Sequence, residues 1–140
     1  MRILVAIDAS EASTKMVDYL LQHTPLFRAA QLTCVYIDPP PSLRAVGAFG
    51  ADPAMPPLTP GDPKAVVAPV LARLRAGGYA PELVLREGEP GPEIVQIAAD
   101  GGFDLIVMGA GERGLIRRKL VGSVAKVVLE RGRTPALIVR

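Results

Sequence analysis

The stretch DLIVMGAG, residues 104–111, decides how this chain folds. Leu105, Ile106, Val107 and Met108 are apolar without alternation, and Gly109, Ala110 and Gly111 follow at once. A short, unbroken apolar run suits a strand covered on both faces, as in a parallel sheet. Working outward, the runs Ile3 to Ile7, Leu32 to Ile37, Leu83 to Leu85 and Leu137 to Val139 share that character. Helical patterns lie between them. The first starts at Ser10, with Glu11 and Ser13 in a capping neighbourhood, and places Ala12, Met16, Tyr19, Leu20, His23 and Phe27 at helical spacing. The second opens on Asp62-Pro63, carries Val66, Val67, Val70, Leu71 and Leu74, and stops at Gly77-Gly78. Pro69 inside it predicts a kink or a later start. The third runs from Pro90 to Glu93 onward, burying Ile94, Ile97 and Ala98. The fourth begins at Gly122-Ser123, with Ser123 as its cap, and buries Val124, Val127 and Val128 before Gly132.

Strands alternating with helices imply one doubly wound α/β domain over residues 1–140, with a five-stranded parallel sheet, about four helices and right-handed crossovers. One segment departs from the pattern. Residues 38–61 contain Pro39, Pro40, Pro41, Pro53, Pro56, Pro57 and Pro60, too long a connection for a compact domain. They are read as a flexible loop over the carboxyl edge of the sheet.

Composition narrows the function classes. The chain has 140 residues, is 49% apolar and carries a formal charge of +2, too mild for a nucleic-acid-binding stripe. Cys34 is the single cysteine, which excludes an internal disulfide and a cysteine-based zinc site; its apolar surroundings make it a buried small residue. No second histidine accompanies His23, so no transition-metal site is expected, and His23 itself reads as a boundary residue of the first helix. No apolar stretch approaches the roughly 20 residues of a membrane helix. The opening Met1 to Ile7 is too short for a secretory leader, and the expectation is a cytoplasmic protein.

Sheets of this kind bind ligands beyond the carboxyl ends of their strands, where strand order reverses. The first strand ends in Asp8. The fourth ends in Gly109-Ala110-Gly111-Glu112-Arg113-Gly114, and the next helix begins at Gly122-Ser123. Glycines let main-chain N–H groups approach an anion, and a helix start adds unpaired N–H groups and a positive dipole end. The G-x-x-x-x-G-K-[ST] phosphate loop is absent. The dinucleotide pattern G-x-G-x-x-G is met by Gly109, Gly111 and Gly114, but after the fourth strand rather than the first and without a helix opening at once. A nicotinamide-dependent oxidoreductase is therefore a distant reading. Asp8 has a plainer reading as a turn or helix-cap residue. The same holds for Arg117, Arg118 and Lys119 as a solvated basic face, for Asp38 as a strand terminator, and for Glu87 and Glu89 as flanks of the Gly88 turn.

The opening ILVAIDASEAS and the stretch from Gly88 to Arg140, above all DLIVMG, the spaced Gly122-Ser123 and the terminal PALIVR, resemble the universal stress protein family. The resemblance implies a flavodoxin-like sheet of order 3-2-1-4-5, a dimer through the last strand, Ala136 to Val139, and a stress or regulatory role through an unidentified protein partner. It implies an ATP site, with Mg²⁺, on a G-x-x-G-x9-G-[ST] loop. The implied site residues are Ala6, Asp8, Val35, Tyr36, Met108, Gly109, Gly111, Arg113, Gly114, Gly122, Ser123 and Val124, with no protein metal ligand and at most slow hydrolysis. Two positions depart from the family pattern. Glu112 stands where the loop has its second glycine, and Tyr36 replaces a small aliphatic residue. A carboxylate about 5 Å from a phosphate costs roughly 3 kcal/mol at an effective dielectric near 20. Three readings follow: an ATP-binding regulator, a dimeric interaction module that has lost ATP, or a site selecting AMP or cyclic AMP.

Overall fold

The computed structural model describes residues 1–40, 62–111 and 122–140. In chain order the elements are β1 (Arg2–Ala6), α1 (Glu11–Gln22), α2 (Thr24–Phe27), β2 (Gln31–Asp38), α3 (Pro63–Ala76), β3 (Glu82–Glu87), α4 (Pro90–Asp100), β4 (Leu105–Gly109), α5 (Ser123–Arg131) and β5 (Ala136–Val139). The five strands form one sheet of order β3-β2-β1-β4-β5, and every pairing is parallel. The loop read over residues 38–61 lies, from residue 41 on, outside the described residues.

The absence of alternation in β1, β2 and β4 has the expected cause, whereas the run Leu83 to Leu85 lies in the edge strand β3 and leaves Leu85 exposed. Ile3, Val5 and Ile7 enter one apolar cluster with Met16, Val17 and Leu20 of α1 and Val67, Leu71 and Leu74 of α3. Leu4 and Ala6 enter the other, with Ile94, Ile97 and Ala98 of α4 and Ala125 and Val128 of α5. Both faces of β1 are thus covered, and each fully buried Ile, Leu or Val contributes about 1.5–3 kcal/mol.

Three local expectations are corrected. The first helical pattern does not run through to Phe27, because α1 stops at Gln22 and a separate α2 follows, giving five helices among the described residues rather than four. Pro25 has no N–H to offer the carbonyl of Leu21, and the Thr24 hydroxyl donates to that oxygen instead, at 2.8 Å. His23 ends α1, with its ring stacked on Tyr19 at 4.1 Å between centroids. Secondly, Pro69 does not delay α3, which starts at Pro63 with Asp62 accepting from the Lys64 N–H at 3.0 Å; Pro69 sits on its exposed side. Thirdly, Val124 and Val127 are only half-buried on α5, where Ala125 and Val128 carry the packing.

Cys34 lies in the first cluster with no exposed surface. Burial pushes its thiol from 9.0 up to about 12, against a smaller opposing pull from Arg75. The unfolded thiol loses its proton above about pH 9 while the folded one keeps it, so stability falls as pH rises through the window from 9.0 to about 12. Between about pH 8 and about pH 10.5, urea denaturation should show the protein losing about 2 kcal/mol more than Cys34→Ala does. Parallel losses in the two proteins would contradict a buried neutral thiol.

Candidate functional site

β1 leaves the sheet between β2 and β4. Ala6 is in register with Val35 on one side and Met108 on the other, and the Ile7 N–H donates to the Val35 carbonyl at 2.9 Å. The chain after β1 passes to α1 on one face, whereas the chain after β4 reaches α5 on the opposite face. This is the strand-order reversal at which doubly wound sheets open a crevice.

Asp8 is the first exposed residue past β1. Its Oδ1 accepts the Ser10 N–H at 2.9 Å, the Ser10 hydroxyl, and the Ser13 hydroxyl at 2.8 Å. The Asp8 N–H in turn donates to Ser13 Oγ at 2.8 Å. Ser10 is the N-cap of α1 and accepts from the Ser13 N–H at 3.2 Å. The D-x-S-x-x-S spacing therefore builds an Asx turn that runs directly into a helix cap. The sequence gives the spacing of Ser10 and Ser13, but their bonds to Asp8 emerge only from the fold.

At the end of β4 the glycines have separate physical reasons. A Cβ on Gly109 would sit 2.5 Å from the Ala12 carbonyl oxygen and 2.7 Å from Ala12 Cβ, so the first turn of α1 rests on bare backbone there. Gly111 takes a φ of +67°, a conformation that favours glycine. The Gly122 N–H donates to the Ala110 carbonyl at 2.6 Å, and a Cβ on Gly122 would lie 2.8 Å from the carbonyls of both Ala110 and Gly111. Gly111 and Gly122, eleven positions apart in the chain, thus meet at the foot of α5.

This closure gives α5 an unusual start. Its N-cap is Gly122, not Ser123 as the sequence suggested; Ser123 is the first helical residue, and Gly122 has no side chain with which to cap. The three other long helices differ. Ser10 caps α1, Asp62 caps α3 ahead of Pro63, and α4 opens with Pro90 and Pro92, which lack N–H groups. The first turn of α5, Ser123, Val124 and Ala125, keeps all three amides without an N-cap side chain, an arrangement that favours an anion.

The sequence-derived residues are placed as follows. Ala6, Val35 and Met108 are buried neighbours in one cluster, and Asp8 is exposed at the end of β1. Gly109, Gly111, Gly122, Ser123 and Val124 follow one another around the foot of α5. Tyr36 is half-buried against the other face of the sheet. Arg113 and Gly114, with Glu112 and Arg117 to Lys119, lie outside the described residues.

The model of the Universal stress protein family matches residues 1–140. The chain belongs to that family. A universal stress protein of Methanothermobacter thermautotrophicus is 31% identical over 130 residues, covering 80% of each chain. Among solved structures, a universal stress protein in complex with cAMP has a TM-score of 0.67 at 24% identity and covers 100% of this chain and 96% of its own. The universal stress protein from Archaeoglobus fulgidus in complex with dAMP has a TM-score of 0.64 at 20% identity and covers 100% and 98%. At these identities the two structures support the fold. The order 3-2-1-4-5 implied by the family resemblance is the order observed. Among the described residues of this universal stress protein, no helix is long and apolar enough to cross a membrane.

Proposed function

We propose that this universal stress protein is a nucleotide-binding regulator that holds an adenine nucleotide at the carboxyl edge of its sheet. The observation that carries the proposal is the closure of Gly111 on Gly122, which sets the uncapped first turn of α5 at the same sheet edge as Asp8. Phosphate oxygens would take the amides of Ser123 and Val124 and the Ser123 hydroxyl, as helix starts favour. The nucleoside would lie toward Asp8, Val35 and Tyr36, with Arg113 and Gly114 completing the loop. ATP with Mg²⁺ is the proposed ligand, and the Mg²⁺ would be held mainly by the phosphates. The role proposed is regulatory, with hydrolysis at most slow. The single histidine, His23, ends α1 at the opposite edge of the sheet.

A monophosphate is the second reading. It is favoured by Glu112 in place of the motif glycine and by the two related structures, which hold cAMP and dAMP. A dimer paired along β5 is proposed from that strand's apolar edge, where Leu137 and Ile138 are only half-buried. Calorimetric titration with Mg-ATP, AMP and cyclic AMP separates the readings. Binding of ATP at micromolar concentration is expected. Preference for a monophosphate transfers the proposal to the second reading. Absence of binding by all three at about 1 mM, an affinity worth only about 4 kcal/mol, overturns nucleotide binding and leaves the interaction module.

A further inference from the structure

Ser13 is buried, with 3% of its surface exposed, yet its hydroxyl is spent entirely on Asp8. It accepts the Asp8 N–H and donates to Asp8 Oδ1, so it grips both the backbone and the side chain of one residue. Ser10 adds two further donors, and all three side-chain bonds of Asp8 fall on the same oxygen. A carboxylate fixed through Oδ1 keeps Oδ2 as its remaining acceptor. The bonds to Oδ1 also bring negative charge to the start of α1. That helix end is thereby closed to phosphate, while the glycine-capped start of α5 has no such carboxylate among the described residues.

We infer that Ser13 is a positioning residue for the nucleotide site, holding Asp8 so that Oδ2 accepts a hydrogen bond from a hydroxyl or amino group on the nucleoside half of the ligand. This rests on the nucleotide reading above and deepens it. It gives the ligand a direction along the crevice, with donor groups toward β1 and phosphate toward α5. A preformed acceptor loses little freedom on binding, whereas an Asp8 side chain released from Oδ1 must be ordered by the ligand.

The test is a double-mutant cycle on nucleotide affinity, read by calorimetry with whichever of ATP, AMP or cyclic AMP the wild-type protein binds. Asp8→Asn keeps a carbonyl oxygen for the three donors and puts an amide donor where Oδ2 stood. Ser13→Ala removes the grip. Each is expected to weaken binding about tenfold, and the double variant no more than the Asp8→Asn protein, because both act through one contact. Ser10→Ala, which loses one hydroxyl donor and keeps its main-chain N–H, is expected to weaken binding about threefold and carries the test if Ser13→Ala fails to fold. A Ser13 that merely stabilises the turn would lower the melting temperature but leave affinity unchanged, or add its effect in full to that of Asp8→Asn; either result overturns the inference. Unchanged affinity in Ser10→Ala does the same where it carries the test. If the wild-type protein binds none of the three nucleotides, the proposed function falls together with it, whereas binding that ignores Ser13 removes the positioning role alone.

Discussion

Gly109→Val should leave the protein largely unfolded at room temperature, and Gly109→Ala should cost about 3 kcal/mol or more, an overpacking penalty at the upper end of the usual range. The added Cβ would lie 2.5 Å from the Ala12 carbonyl oxygen and 2.6 Å from its carbonyl carbon. Both are backbone atoms in the first turn of α1, so no rotamer change relieves the contact. The helix itself must shift, and Met16, Val17 and Leu20, all fully buried, shift with it. Close-packed interiors transmit such strain rather than absorb it. Domains of this size are stable by only about 5–15 kcal/mol, and the larger valine side chain, forced against the same backbone, exhausts that margin. Urea denaturation followed by circular dichroism measures the loss. A Gly109→Ala protein within about 0.5 kcal/mol of wild type would show that α1 does not rest on the end of β4.

The second large effect concerns ligand rather than fold. Gly122→Val should lower nucleotide affinity about a hundredfold, equivalent to roughly 2.7 kcal/mol, while costing about 1–3 kcal/mol of stability. Its Cβ would meet the Ala110 and Gly111 carbonyls at 2.8 Å each, and the Gly122 N–H bond to Ala110 sits at the same junction. The substitution pushes the first turn of α5 away from the end of β4 and spoils the shared edge with Asp8. The backbone of Gly122 is otherwise extended, with φ −67° and ψ 163°, so valine meets no conformational barrier of its own. Calorimetry on the folded variant checks the expectation, and affinity equal to wild type would separate the ligand from the Gly111–Gly122 closure.

Much of this architecture is legible in the chain because β1, β2 and β4 are covered on both faces. Continuous apolar runs such as Ile3 to Ile7 have few other uses in a domain of this size. The break between α1 and α2 is less legible. Apolar spacing continues through Phe27, and only the missing N–H of Pro25, answered by Thr24, divides the helix. The cap of α5 is ambiguous in the sequence because Gly and Ser are adjacent and both are acceptable caps; the backbone puts Ser123 inside the helix. Gly109 has one reason in the sequence and another in the fold. Its place in a glycine loop suggested close approach of an anion, and the fold shows close approach of Ala12. Asp8 stands out in the sequence by its position at a strand end, but spacing alone does not reveal that Ser10 and Ser13 bond the same carboxylate oxygen. That fact depends on how α1 turns back against β1.

The proposed phosphate site is the set of main-chain amides that starts α5. Ser123→Pro addresses it with little disturbance to the helix, since proline is favoured at the first helical position and the extended Gly122, at ψ 163°, suits a residue that precedes proline. Titration of the wild-type, Ser123→Ala and Ser123→Pro proteins with ATP and AMP should give a melting temperature nearly the same in all three. Affinity should be reduced about tenfold in the proline variant and less in the alanine variant, which keeps the N–H. Nucleotide bound as tightly by Ser123→Pro as by the wild-type protein would contradict the account.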